Sequence, residues 1–138
     1  MRQNREAGAY ACFGLVPTGA AAAVGLIQIR QLEPSFRTAE WGFALGAAYW
    51  GNGMFIEAAH LALDFAFDVL GVERLEARAA LVNGRGNGAL RKLGAVQELV
   101  LRRAFRSGGR YLDQALWTIL ATDWRDAREV AGAHTPLH

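Results

Sequence analysis

The sequence predicts an α+β fold on one mixed, mostly antiparallel sheet. Three observations carry this. Short alternating or aromatic-rich runs read as strands, and one long amphipathic run reads as a helix. Turn signals at Pro17-Thr18-Gly19, Glu33-Pro34-Ser35 and Ser107-Gly108-Gly109 separate the runs. Their order is β-β-β-α-β-α-β-β, so meandering strands come first and one helical crossover joins the third strand to the fourth; this is not a doubly wound pattern.

Met1 to Gly8 is polar and reads as a frayed lead-in. Ala9 to Val16 alternates weakly and carries aromatics, as a strand does. In Ala22 to Leu32, Leu26, Gln28 and Arg30 fall on one face and Ile27 and Ile29 on the other. These two strands should pair as a hairpin. Thr38 to Gly46 is a third strand, with Trp41, Phe43 and Leu45 on one face and Glu40, Gly42 and Ala44 on the other. Ile56 to Leu70 has the clearest helical stripe: Phe55, Ala58, Ala59, Ala62, Ala66 and Leu70 line up, and Gly71 can end the helix. Glu73 to Leu81 alternates again. Asn83 to Gly88 reads as a second glycine-rich loop, Ala89 to Leu93 as a short helix, and Val96 to Phe105 with Tyr111 to Leu120 as a closing hairpin. Asp123 to Ala131 is a short terminal helix.

At 138 residues the chain is most simply one domain, 1–138, long enough to bury a core. A formal net charge of +2 does not point to nucleic acid. The single cysteine, Cys12, excludes an internal disulfide framework, fits a reducing compartment, and reads as a small buried hydrophobe. The first residues lack a signal-peptide core, and no apolar run reaches the roughly 18 to 20 residues of a membrane helix. The reading is a cytoplasmic protein without nucleic-acid or membrane partners.

Between the third strand and the long helix lies Tyr49-Trp50-Gly51-Asn52-Gly53-Met54-Phe55. Two glycines let a ligand approach the backbone, and a helix starting there aims unpaired N–H groups and its positive dipole end at the same point. That combination suits an anion, most often phosphate.

Four ordered segments resemble the GNAT superfamily of N-acetyltransferases, and within it the RimJ/RimL-type branch, known for acetylating protein N-termini, including those of ribosomal proteins. They are Ala39 to Leu45; Tyr49 to Phe55 with Glu57-Ala58; Asn83 through Lys92-Leu93-Gly94; and Tyr111-Leu112-Asp113 with Asp123-Trp124. The resemblance covers residues 9–124. It implies acetyl-CoA as co-substrate. It places the pyrophosphate on main-chain amides of Trp50, Gly51, Asn52, Gly53, Met54 and Phe55, and the pantetheine arm beside Phe43, Ala44 and Leu45, where the third and fourth strands splay apart. Asn83 would hold the arm from the other side or cap the helix that follows. A free amine, on a protein N-terminus or a small molecule, would attack the thioester directly. The family's serine after the asparagine is Gly86 here, and the tyrosine acid of related branches is Leu90. The family's first strand and the two helices that shape the acceptor pocket are expected to be missing, which would leave an edge open to a homodimer partner.

Glu40, at the start of the central strand, is the candidate base, acting through water; a solvated strand-end carboxylate is the plainer alternative. Trp50 could stack on a ligand or fill core. His60 reads as a rim residue, Tyr111 and Asp113 as strand structure, and Arg102, Arg103, Arg106 and Arg110 as a solvated cluster. His134 and His138 lie in the tail and make no metal constellation. A non-catalytic acyl-CoA-binding module is the competing function. Dinucleotide binding ranks below it, since Ile56 stands where a GxGxxG fingerprint needs its last glycine.

Overall fold

The computed structural model describes residues 2–4, 10–17, 19, 22–35, 37–51 and 53–133. Strands β1 (Arg2–Asn4), β2 (Tyr10–Leu15), β3 (Gly25–Gln31) and β4 (Thr38–Leu45) come first. A 3₁₀ turn at Ala47–Tyr49 leads into helix α1 (Met54–Asp68). Then follow β5 (Arg74–Ala80), α2 (Gly84–Lys92), β6 (Val96–Ser107), β7 (Arg110–Leu120) and α3 (Ala121–Ala133). The sheet has seven strands in the order β1-β2-β3-β4-β5-β7-β6. Every neighbouring pair is antiparallel except β4 with β5. The mixed α+β class and both expected hairpins are therefore present.

Three elements depart from the sequence reading. Arg2–Asn4, expected to fray, pairs with Tyr10–Cys12 as a short edge strand, so a strand does precede β2. The glycine-rich stretch from Gly84 is helical, and α2 begins five residues before Ala89. Cys12 is only half-buried, because it alternates with Ala11 and Phe13, which take the core positions of β2.

One face of the sheet meets the helices. Phe13, Ile27, Ile29, Trp41, Leu75 and Ala77 point inward from β2 to β5 and meet Phe55, Ala59, Leu63 and Phe67 of α1 in one cluster. Full burial of such a side chain contributes about 1.5–3 kcal/mol, so this stripe fixes α1 against the sheet. Gly71, at φ 77°, turns the chain out of the helix, and Val72 N–H returns to the Ala66 carbonyl at 3.0 Å. The opposite face carries Gln28, Arg30, Gly42, Ala44 and Arg78, all exposed. Among the described residues no helix is long and apolar enough to cross a membrane.

The feature that positions the site is the short contact between β4 and β5. They pair only through Thr38–Glu40 with Arg74–Glu76, although β4 runs on to Leu45 and β5 to Ala80. Past Glu40 the strands part. The expected splay is thus present, with its apex at Glu40.

Candidate active site

The parting leaves one edge of β4 open. Leu32 N–H donates to the Thr38 carbonyl at 2.9 Å, and Gly46 N–H to the Val24 carbonyl at 2.9 Å. Antiparallel ladders alternate, so Thr38, Glu40, Gly42, Ala44 and Gly46 turn their polar backbone toward β3. Trp41, Phe43 and Leu45 turn theirs toward the gap. Of the three backbone positions expected to meet a pantetheine arm, Phe43 and Leu45 face the gap, whereas the Ala44 amide and carbonyl belong to the β3 ladder.

At the wide end of the gap lies a cleft of about 400 Å³ between the start of α1 and α2. Trp50, Gly51, Gly53, Phe55 and Ile56 line one wall. Gly51 and Gly53 sit at φ 87° and 82°, which side chains rarely adopt, and a Cβ on either would stand in open space. Gly53 is the N-cap of α1 and supplies no side-chain acceptor. The first intrahelical bond runs from Glu57 N–H to the Gly53 carbonyl, at 3.1 Å, so the Phe55 and Ile56 amides precede the ladder. Asn52, also expected here, lies outside the described residues. Trp50 lines the cleft and packs against Phe55, 5.2 Å between ring centres, the core use expected of it. Phe43 closes that stack at 4.6 Å from Phe55.

The second wall is α2, through Gly84, Arg85, Gly88, Ala89 and Lys92. Glycine costs a helix about 1 kcal/mol relative to alanine, and this one has three. Polar ties offset part of that. Asn83 Oδ1 accepts Gly86 N–H at 2.9 Å, so Asn83 is the N-cap and its carbonyl oxygen is committed there. Asn87 Nδ2 donates to the carbonyls of Ala80 and Asn83 at 2.9 and 2.8 Å, and Asn87 Oδ1 accepts the Trp117 indole N–H at 2.8 Å. The bare glycines at 84 and 88 keep the wall open, since neither would place a Cβ within 4 Å of another group. A side chain at Gly86 would meet Asn83 Nδ2 at 2.5 Å, so Asn83 would have to shift to admit one. Arg85, Lys92 and Asn87 were not singled out from the sequence as site residues. A helix pattern counted from Asn83 would have placed both cations on the cleft wall. Nothing in the sequence marks Asn87. Leu90 is fully buried and faces no opening.

At the narrow end, on the opposite face of the sheet, a second pocket of about 350 Å³ is lined by Gln28, Arg30, Glu40, Trp41, Gly42 and Arg78. Glu40 is mostly buried here and bonds Arg30 through Oε1. Its Oε2 lies 3.5 Å from Arg78 Nε. Further along, Arg74 bonds Glu76 and Glu98, and Glu98 also accepts from Thr118 at 2.9 Å. The Arg74 hydrogen bond, then that from Thr118, holds the Glu98 carboxyl below its ordinary value. Glu40 and the glycine cleft therefore lie at opposite ends of the parting and on opposite faces of the sheet.

The remaining candidates serve structure. Asp113 accepts Arg103 N–H at 2.8 Å and so holds a left-handed residue, φ 50°, inside the β6 bulge. Tyr111 lies under the guanidiniums of Arg103 and Arg106, at 4.9 and 5.5 Å. His60 is exposed, with its ring 5.1 Å from that of Trp124.

The sequence matches the Acetyltransferase (GNAT) domain family over residues 1–96. It is 27% identical to an uncharacterized N-acetyltransferase, p20, of Bacillus licheniformis, across 73% of this chain and 57% of the relative. It is 31% identical to the spermidine N(1)-acetyltransferase of Escherichia coli K12, across 63% of this chain and 47% of that protein. The chain thus spans about half the length of these curated relatives. In fold it is similar to the ribosomal-protein-S5-alanine acetyltransferase from Vibrio fischeri, with a TM-score of 0.77 at 22% identity over 83% of this chain and 63% of that one. A parallel strand pair that parts beside a glycine-built helix start, within a sequence match over most of the chain, leaves one assignment: this chain belongs to the GNAT acetyltransferase family.

Proposed function

We propose that the chain is an acetyl-CoA-dependent N-acetyltransferase that moves an acetyl group to a primary amine by direct attack. One observation carries this: β4 and β5 part beyond Glu40, with a glycine-built cleft at the far end of the gap and a carboxylate-bearing pocket at Glu40. The residues present fit the coenzyme. Gly51 and Gly53 form a cradle that side chains would fill, with the Phe55 and Ile56 amides at its base and Arg85 and Lys92 opposite. The Phe43 and Leu45 backbone can pair with the amides of an extended arm as a strand would. This puts the thioester carbonyl near the apex, at the Glu40 mouth.

There the amine nitrogen forms the new C–N bond, the C–S bond breaks, and the sulfur leaves with the electron pair. The surplus amine proton passes through water to Glu40. Holding both reactants in the slot can supply about 7–11 kcal/mol of the barrier, and a positioned base typically adds about 10²–10⁴-fold. Calorimetry with acetyl-CoA and thiol release with amines form the test. Micromolar binding and amine-dependent release are expected; no binding at millimolar acetyl-CoA would end the reading. A non-catalytic acyl-CoA-binding module predicts binding without release, but it gives no role to the second mouth. Assignment to the RimJ/RimL-type branch rests on the four segments already quoted.

A further inference from the structure

We infer that the second pocket selects an amine acceptor bearing an anionic group close to the amine, and disfavours polyamines. This rests on the proposed acetyl transfer, because it takes the Glu40 mouth as the acceptor side. The charge count at the pocket is the starting point. Arg30 and Arg78 face it with Glu40 between them, so the lining carries two guanidiniums against one carboxylate.

Hydrogen-bonding capacity says the same. Two guanidiniums bring about ten N–H donors and no acceptor, and one carboxylate offers about four lone-pair sites. Each Glu40 oxygen already faces one arginine. Most donors on Arg30 and Arg78 therefore remain for water or a ligand, and their side chains keep 62% and 47% of their exposure. A carboxylate or phosphate ester on the acceptor would meet a forked donor. A polycation would meet the two guanidiniums of the lining, with Glu76 and Glu98 held by Arg74 beyond it.

The floor supports the same use. Gly42 sits on the exposed face of β4 beside Glu40, and a Cβ there would find nothing within 4 Å. A flat floor flanked by two arginines and the Gln28 amide can admit a small acidic group at the strand surface. Glu40 stands at the apex of the slot, so that group would lie within a few bonds of the amine under attack.

The test compares three acceptors on the full chain: the tripeptide amides Asp-Ala-Ala and Asn-Ala-Ala, which share one α-amine and nearly one shape, and spermidine. kcat/KM is read by thiol release, and affinity by calorimetry on the CoA-loaded chain, so the comparison holds even where turnover is slow. Asp-Ala-Ala should exceed Asn-Ala-Ala by about three- to tenfold at low salt and lose most of that lead by 0.5 M salt. Spermidine should be the poorest. The double substitution Arg30→Gln, Arg78→Gln should abolish the preference while acetyl-CoA affinity stays within twofold. Equal use of the two peptides, a lead for spermidine, or a preference untouched by the substitutions would overturn the inference and leave acetyl transfer standing. Failure to bind acetyl-CoA, measured separately, would remove both.

Discussion

The two mouths of the slot are built by different means. The proposed coenzyme side is mostly backbone: two left-handed glycines, the first turn of α1, the open edge of β4 and a glycine-thinned helix, with Arg85 and Lys92 added from α2. All of it comes from two stretches, 43–56 and 83–92. The proposed acceptor side is made of side chains from three strands, Arg30 from β3, Glu40 from β4 and Arg78 from β5. A backbone site tolerates change in most of its side chains but not in its dihedral angles. A side-chain site tolerates the reverse. The family's shared coenzyme and its varied acceptors would both follow from that division.

The largest effects should separate the mouths. Glu40→Gln should lower kcat/KM by about 10²-fold or more and leave the acetyl-CoA dissociation constant within twofold. Gly53→Val should do the opposite. A β-branched residue at φ 82° carries about 1–3 kcal/mol of strain and crowds the cradle, so acetyl-CoA should bind about 10- to 100-fold more weakly. Thermal unfolding of both variants checks that each still folds. If both substitutions change the same parameter, the division is wrong.

A finer pair tests the alternation along β4. Proline removes one N–H and no other backbone donor. Ala44→Pro deletes a donor turned toward β3 and should cost about 1–3 kcal/mol of folding stability. Leu45→Pro deletes a donor turned toward the gap. It should cost less stability and weaken acetyl-CoA binding by up to about tenfold. Denaturant unfolding and calorimetry read the two effects. Equal stability losses would mean the backbone assignment on either side of the ladder is mistaken.

The same division explains what the sequence disclosed. Gly51-x-Gly53 ahead of an amphipathic run signals a phosphate corner because the physics is local: left-handed angles and unpaired amides fall within a few residues. The parting itself is legible only through resemblance, since it depends on β4–β5 pairings 36 residues apart. Asn83 to Gly88 has the propensity of a loop yet is helical from Gly84, and one tie that supports the helix, Asn87 to Trp117, spans 30 residues. The arginines that flank Glu40 carry no local signal. Arg30 is one polar position in an alternating strand, and only the registers Arg30↔Glu40 and Glu40↔Glu76 bring it and Arg78 to Glu40.

The smallest effect concerns what holds the coenzyme wall from behind. Helix α3, outside the 1–96 family match, straps α1. Trp124 Nε1 donates to Asp64 at 2.8 Å, and Arg128 bridges Asp64 and Asp68 at 3.0 and 2.8 Å. The Arg128 hydrogen bond, aided by its charge and that of Arg125, holds the Asp68 carboxyl below its ordinary value. A carboxyl lowered by folding adds stability above its unfolded pKa, about 3.9, and loses it as pH falls through the folded value. The strap should therefore weaken below about pH 4. Both partners are well exposed, 39% and 45%, so solvent screening keeps the contribution under about 1 kcal/mol. Arg128→Ala should flatten the pH dependence of stability in that window and leave stability between pH 6 and 8 lower by a few tenths of a kcal/mol. Trp124 fluorescence during acid titration reads the same contact. At neutral pH the acetyl-CoA affinity of Arg128→Ala should stay within twofold, because the strap grips Asp64 and Asp68, about two and a half turns or more along α1 from the glycine corner. A larger loss would show that the corner's dihedral angles are held from the far end of the helix, and the coenzyme mouth would no longer be a local backbone device.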